Sequence, residues 1–196
     1  MEISTGLAAA RRALAVDIRG EVQGFVLMAN EIQPSAERPH MPGYGVVAAD
    51  EGSGLLPWSW AEQRLIRSHD YWLATTWPDG RPHVMPVWAV WLDTSLWFSC
   101  SRGSRKTRNL LVDGRSVMTT DEPRNPVVVE GVAAVVSDPG RLKAVLDAEN
   151  AKYGTDYGIE LLDPAVNTCF RFRPLWAFGL TEDDFTRSPT RWRFER

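Results

Sequence analysis

The chain of 196 residues predicts a mainly β protein, an antiparallel barrel with flanking helices, and three observations predict it. From Tyr71 onward large apolar residues recur with a period of two, the repeat of a half-buried strand. Strings rich in Pro, Asp, Gly and Asn, such as Pro78-Asp79-Gly80-Arg81 and Asp93-Thr94-Ser95, separate the runs at hairpin lengths. Helix-start signals interrupt the strands at only a few points, so six or seven strands dominate, and a closed barrel would leave none of them an exposed edge.

Residues 1–54 read as an N-terminal extension: LAAARRAL suits a short helix, and Pro34, Pro39, Pro42, Gly43 and Gly45 then break regular structure. The piece RPHMPGYG reads as a linker or as a loop that wraps a partner. The folded domain, 55–196, opens with a helix from Ser59 to about His69, with Ser59 and Glu62 at capping-box spacing and Trp60, Leu65 and Ile66 on its buried face. YWLATTW, HVMPVWAVWL and LWFSCS form a three-stranded meander. Both faces of its middle strand are apolar, so it is expected to be covered on both sides, and Pro86 belongs at an edge, a bulge or an opening in the pairing. Residues 104–114 form a helix with Ser104 as N-cap and Gly114 just past its end. Strands over SVMTT and VVVEGVAAVV come next, then a helix begun by Ser137-Asp138-Pro139 and running to Tyr153, then strands over NTCFRFRP, LWAFGL and TRWRF.

Composition removes several classes of function. A net charge of −3, from interspersed acids and bases, gives nucleic acid or an anionic membrane little to attract, so an anion site has to be local. Cys100 and Cys169 stand apart, and His40, His69 and His83 lack zinc-site spacing, which predicts no metal and a reducing compartment. The absence of a long apolar run and of a signal-peptide pattern makes a cytoplasmic protein the expectation. No P-loop, G-x-G-x-x-G or G-x-S-x-G occurs, Cys100 has no activating neighbour in sequence, and Asp79, Asp121, Glu130, Asp183 and Asp184 form no evident acid–base pair. Nine tryptophans suit a Trp-rich core, with one or two left to line a pocket for a flat ligand.

One local pattern breaks a rule. Ser99, Ser101, Arg102, Ser104, Arg105, Lys106, Arg108 and Asn109 leave a strand and enter a helix, yet cations are disfavoured at a helix N-terminus. A bound phosphate would compensate, because free N–H groups, hydroxyls and cations converge at such a turn. A solvated basic face is the equal alternative. A barrel with a phosphate-type site and no evident catalytic side chain suits a cofactor that brings its own reactivity.

The strings DYWLATTWPDGRPHVMPVWAVW, LWFSCSRGSRKTRNL and WAFGLTEDDFTRSPTRWRF resemble the pyridoxamine 5′-phosphate oxidase-like family of FMN-binding split β-barrels. Within it they resemble the branch of F(420)-dependent, or deazaflavin-dependent, reductases, over residues 55–196. The resemblance implies a homodimer with cofactor sites between the subunits. It implies that Ser99, Ser101, Ser104, Arg105, Lys106 and Asn109 hold the cofactor phosphate. His83, Val84, Met85, Pro86, Val87 and Trp88 would run beside the ring, with Trp176 and Trp192 near the ring or the dimer face. The chain ends in TRWRFER, without the Arg-Leu-x-Pro type ending of true pyridoxamine phosphate oxidases, so vitamin B6 synthesis is not the expectation. FMN and coenzyme F(420) share a ring outline and a phosphate, and Arg102, Arg108 and Arg115 would suit the acidic tail of the second. The implied activity is hydride transfer from reduced F(420) to an activated C=C or C=N bond of a small molecule. The alternatives are an FMN oxidoreductase of the same fold and a flavin or haem carrier without turnover.

Overall fold

The long strand near the C-terminus organises the molecule. In the computed structural model, which describes residues 33–48, 51 and 54–195, the strands are β1 (Ser35–Glu37), β2 (Tyr71–Thr76), β3 (Pro82–Val87), β4 (Val90–Leu92), β5 (Ser95–Ser101), β6 (Arg115–Thr120), β7 (Val127–Val136), β8 (Asn167–Gly179) and β9 (Thr190–Arg193). Three helices, α1 (Trp58–Arg67), α2 (Arg105–Val112) and α3 (Pro139–Tyr153), flank them. All pairings are antiparallel, in the order β1-β9-β8-β7-β6-β2-β3. One edge of β8 pairs with β7 along its length, while the other is shared: residues 167–172 pair with β5 and residues 176–179 with β9. The sheet therefore divides at β8, which makes this a split barrel.

A bulge carries the division. Glu130 faces Trp176 and Gly131 faces Pro174, so Leu175 is the extra residue, and its carbonyl accepts the Phe194 N–H at 3.1 Å. A bulge bends its strand and shifts the facing of the residues beyond it. Phe170 and Phe172 point inward before it, and Ala177 and Gly179 after it. NTCFRFRP and LWAFGL are thus one bent strand rather than two.

Register then sorts every residue by face. One inward row, Leu73–Met118–Val129–Ala177–Trp192, crosses five strands and is fully buried. Trp58, Trp60, Trp91 and Phe194 pack near Trp192, with Trp58 edge-on to Trp192 at 5.7 Å and to Phe194 at 5.0 Å. Most of the tryptophans are core, and Trp192 is among them, fully buried. A second cluster, Val90, Trp97, Val145, Leu146, Leu162 and Cys169, lies between β4–β5 and α3.

Helix ends obey local chemistry with one exception. Ser104 caps α2, its Oγ accepting Thr107 N–H at 3.3 Å. Asp138 caps α3 through Arg141 N–H at 2.8 Å, Pro139 fills the first turn, and Gly154 at φ 64° ends it. The exception is α1, which starts at Trp58 with Pro57 before it and no side-chain cap, and ends at Arg67. Ser59 sits in its first turn, and Glu62 accepts Trp91 Nε1–H at 2.9 Å instead of closing a capping box. Trp58, Ala61 and Leu65 form the buried face of α1, and Ile66 is 51% exposed.

Two further expectations change. HVMPVWAVWL is not one strand: β3 pairs with β2, β4 pairs with β5, and Trp88-Ala89 lies between them. Among the described residues the ladder does not close and β3 has no strand on its second edge, and Val84 and Met85, on opposite faces, are 50% and 43% exposed instead of covered. Pro86 accordingly sits on an edge strand. LAAARRAL lies outside the described residues. Part of RPHMPGYG is tied down, since the Arg38 guanidinium donates to Pro189 O at 2.7 Å and to Arg187 O. β1 just before it extends the sheet on β9.

This packing can be tested at two residues. A Cβ on Gly131 would stand 2.3 Å from Arg173 O and 2.8 Å from Phe172 Cζ. Gly131→Ala is therefore expected to destabilise the fold by about 3 kcal/mol in urea unfolding, while Gly103→Ala, which meets open space, changes stability by less than ~0.5 kcal/mol. Glu149 is buried in α3, and burial pushes its carboxyl from 4.5 up to about 7. Between those values the folded state keeps a proton that the unfolded chain releases. Its stabilisation is full below pH 4.5 and is lost as pH rises through 7, by roughly 3 kcal/mol, a slope that Glu149→Gln removes from the pH dependence of unfolding.

Candidate functional site

α2 rests against the end of β2, on the inward side of the sheet. Thr75, the last inward residue of β2, is buried in register with His83 of β3. Asn109, only 1% exposed, donates from Nδ2 to Thr75 Oγ1 at 3.0 Å, and that hydroxyl is 3.3 Å from His83 Nδ1. Ser101 O accepts Ser104 N–H and Thr107 Oγ1–H, both at 2.9 Å, which folds the strand-to-helix turn tightly. Arg105, the first residue of α2, lays its guanidinium 3.7 Å from the centre of the Trp77 ring at the β2–β3 turn. Ser101, Ser104, Arg105, Asn109 and His83 thus share one end of the barrel.

The electrostatics of this end are unbalanced. Among the described residues no carboxylate lies within ion-pair distance of Arg105, Lys106 or Arg108. Arg81 by contrast is neutralised by Asp79 at 2.9 Å, and Arg115 by Asp113 at 2.7 Å. Two polar atoms here are buried without a hydrogen-bond partner, Arg105 Nε and Asn109 Oδ1. Buried polar atoms are nearly always satisfied. One is a donor seeking an acceptor, and the other is an acceptor seeking a donor. A ligand with an anionic group and neighbouring hydroxyl or N–H groups would complete both.

The remaining predicted residues fall on different surfaces. His83, Met85 and Val87 share the inward face of β3, and Val84 and Pro86 share the outward one. Trp88 leaves the strand and stacks on Tyr153, with ring centres 4.3 Å apart and planes at 6°, still 42% exposed. Ser99 is in register with Cys169 on the α3 side of β5, away from α2. Trp176 lies on the outward face of β8, opposite Glu130 and Arg193. Lys106 is half-buried near Cys100, but burial dominates there and pushes that thiol up to about 11, so it stays protonated at neutral pH.

Sequence reasoning missed the support of Trp88. Ala89 leaves the ladder where β3 gives way to β4, and α3 satisfies both its backbone groups. Tyr153 OH lies 2.8 Å from Ala89 N and 2.9 Å from Ala89 O, and Lys152 Nζ donates to the same carbonyl at 2.8 Å. Burial lowers the Lys152 ammonium to about 8. Trp77 was likewise unremarkable as one aromatic before a turn. Its role depends on α2, which is distant in sequence.

Among the described residues no cluster of His, Cys, Asp and Glu could hold a metal, and no helix is long and apolar enough to cross a membrane. No curated protein matches the chain. Among solved structures, it is similar to an F420 reductase at 28% identity, covering 58% of this chain and 91% of that one, with a TM-score of 0.49. It is similar to the conserved hypothetical protein Rv2991 of Mycobacterium tuberculosis at 21% identity, over 71% and 88% of the chains, TM-score 0.54. A NimC/NimA family protein of Clostridium acetobutylicum is similar at 13% identity, over 60% and 82%, TM-score 0.50. The last two likenesses extend to the fold alone. The family model for pyridoxamine 5′-phosphate oxidase matches residues 61–177, which is more than half of the sequence and spans β2 to β8 with α2. The chain therefore belongs to the pyridoxamine 5′-phosphate oxidase family.

Proposed function

We propose that this protein is an oxidoreductase that binds coenzyme F(420) between α2 and β3 and transfers hydride to a small organic substrate. The observation that carries the reading is the pair of unsatisfied buried atoms, Arg105 Nε and Asn109 Oδ1, beside an uncompensated run of cations. Arg105 and Lys106 would hold the phosphate with the hydroxyls of Ser101 and Ser104, and Asn109 would accept from a hydroxyl or N–H of the ligand. The deazaflavin, when bound, supplies a two-electron hydride donor. His83, Met85 and Val87 line the inward flank of the ring site, and their side chains, with Trp88 braced on Tyr153, fix its plane and limit water. Arg108, and Arg102 whose guanidinium donates to Pro164 O at 3.0 Å but has no acid partner among the described residues, would meet an acidic tail, whereas Arg115 is paired with Asp113.

The outward face supports a homodimer. Two rows cross the sheet there, Pro86–Trp72–Thr119–Val128–Phe178 and Val84–Ala74–Val117–Glu130–Trp176. They are mainly apolar, with Pro86, Trp72 and Val84 exposed and the others partly exposed, and an ionic cluster of Glu37 with Arg191 and Arg193 at 2.6 and 2.7 Å borders them. A second copy is the natural cover for such a face. FMN is the second reading, favoured by the family match, since ring outline and phosphate are common to both cofactors.

Parallel fluorescence titrations with F(420) and FMN, on the native chain and on Lys106→Ala, test the cofactor. F(420) is expected to bind more tightly and to lose about tenfold in affinity in the variant. Tighter FMN binding would move the assignment to the second reading, and binding without substrate-dependent oxidation of the reduced cofactor would indicate a carrier. Sedimentation is expected to show a dimer for the native chain and a monomer for Trp72→Asp.

A further inference from the structure

Two guanidinium groups of unequal circumstance lie over the Trp77 ring. Arg81 lies 4.5 Å from the ring centre and is paired with Asp79, while Arg105 lies 3.7 Å from it with no acid partner among the described residues. The Arg105 Nε is buried and has no acceptor. A long arginine side chain at the first position of a helix would ordinarily turn away from the helix N-terminus into water. Here the ring face attracts it by cation–π interaction and holds it beside the end of α2. The Asp79 carboxylate neutralises the cation that would otherwise repel Arg105 across the same ring. Trp77 is joined to the site on its other side as well, with its ring centre 6.3 Å from His83 and the two planes at 73°.

We infer that Trp77 is a positioning residue for anion recognition: it stacks Arg105 in place before the ligand arrives, so that the guanidinium meets a phosphate ester without first losing its rotamer freedom. Ordering a free arginine on binding costs entropy, and a stack formed in the ligand-free protein removes that cost. Trp77 therefore acts on the phosphate and not on the ring. The inference rests on the phosphate site proposed above, and it identifies a residue outside the α2 segment that sets how strongly that site prefers phosphorylated ligands.

The test compares ligands that differ only in the phosphate. FMN against riboflavin, and the deazaflavin chromophore with and without its phosphoryl-bearing tail, are titrated into the native chain, Trp77→Leu, Trp77→Phe, Arg105→Ala and Trp77→Leu/Arg105→Ala. The native chain is expected to prefer each phosphorylated ligand, and Trp77→Leu to cut that preference by about tenfold while leaving the affinity for riboflavin within about twofold. Trp77→Phe keeps an aromatic face and retains most of the preference. In the Arg105→Ala background Trp77→Leu has no further effect, as expected if one residue acts through the other. Equal losses for riboflavin and FMN, or additive effects in the double variant, overturn the role of Trp77. If Arg105→Ala abolishes the preference and Trp77→Leu does not, this inference fails and the phosphate site stands. A native chain that does not distinguish the paired ligands overturns both. A Trp77→Leu chain that does not fold leaves the decision to Trp77→Phe, whose weaker quadrupole has to lower the preference measurably, with riboflavin unchanged, for the inference to hold.

Discussion

The molecule depends on how β8 divides its hydrogen bonds. A strand of 13 residues has one edge fully taken by β7, and its second edge serves β5 first and β9 afterwards. The bulge at Leu175 bends the strand and resets its facing, and the change of partner on the second edge falls there. The first half packs Phe170 and Phe172 under β5, and the second packs Ala177 and Gly179 against Trp60 and Trp192. Gly131 of β7 lies opposite this bend, where a Cβ would collide with the Arg173 carbonyl.

Opening the barrel on the β3 side is a consequence of that division, because β5 is drawn to β8 and takes β4 with it. The chain between β3 and β4 must then leave the ladder, and Ala89 would carry two unsatisfied backbone groups if α3 did not supply Tyr153 and Lys152. The same junction positions Trp88 on Tyr153. A requirement of backbone satisfaction thereby shapes one wall of the candidate site. α2 shapes the other, since its Asn109 reaches Thr75 and its Arg105 reaches Trp77. The site is a place where local preferences conflict, with cations at a helix N-terminus and buried polar atoms without partners, and such conflicts mark function more often than error.

Parity explains why the run from His83 to Trp88 does not act as one unit. Alternation places His83, Met85 and Val87 inward and Val84 and Pro86 outward, so the segment would serve the proposed cofactor wall on one side and the proposed subunit contact on the other. Trp176 and Val84 belong to one outward row although nearly half the chain separates them.

The sequence by itself determined the elements whose signals are local. The cap at Ser104, the Asp138-Pro139 start, the Gly154 stop and the period-two runs of β2, β5, β6 and β7 are set by neighbours within a few residues, and they stand where the pattern puts them. It also marked Arg105 and Asn109, because a basic helix start violates a local rule. Only the tertiary structure decided what depends on partners distant in the chain. Glu62 gives up a capping role to meet Trp91, one apolar run becomes β3 and β4 because each finds a different neighbour, and Trp192 joins the core. Trp77 gains a role because α2 delivers Arg105 to its face. Capping and periodicity act over a turn or two of chain, whereas ring stacking, register and burial are fixed by which surfaces the fold brings together.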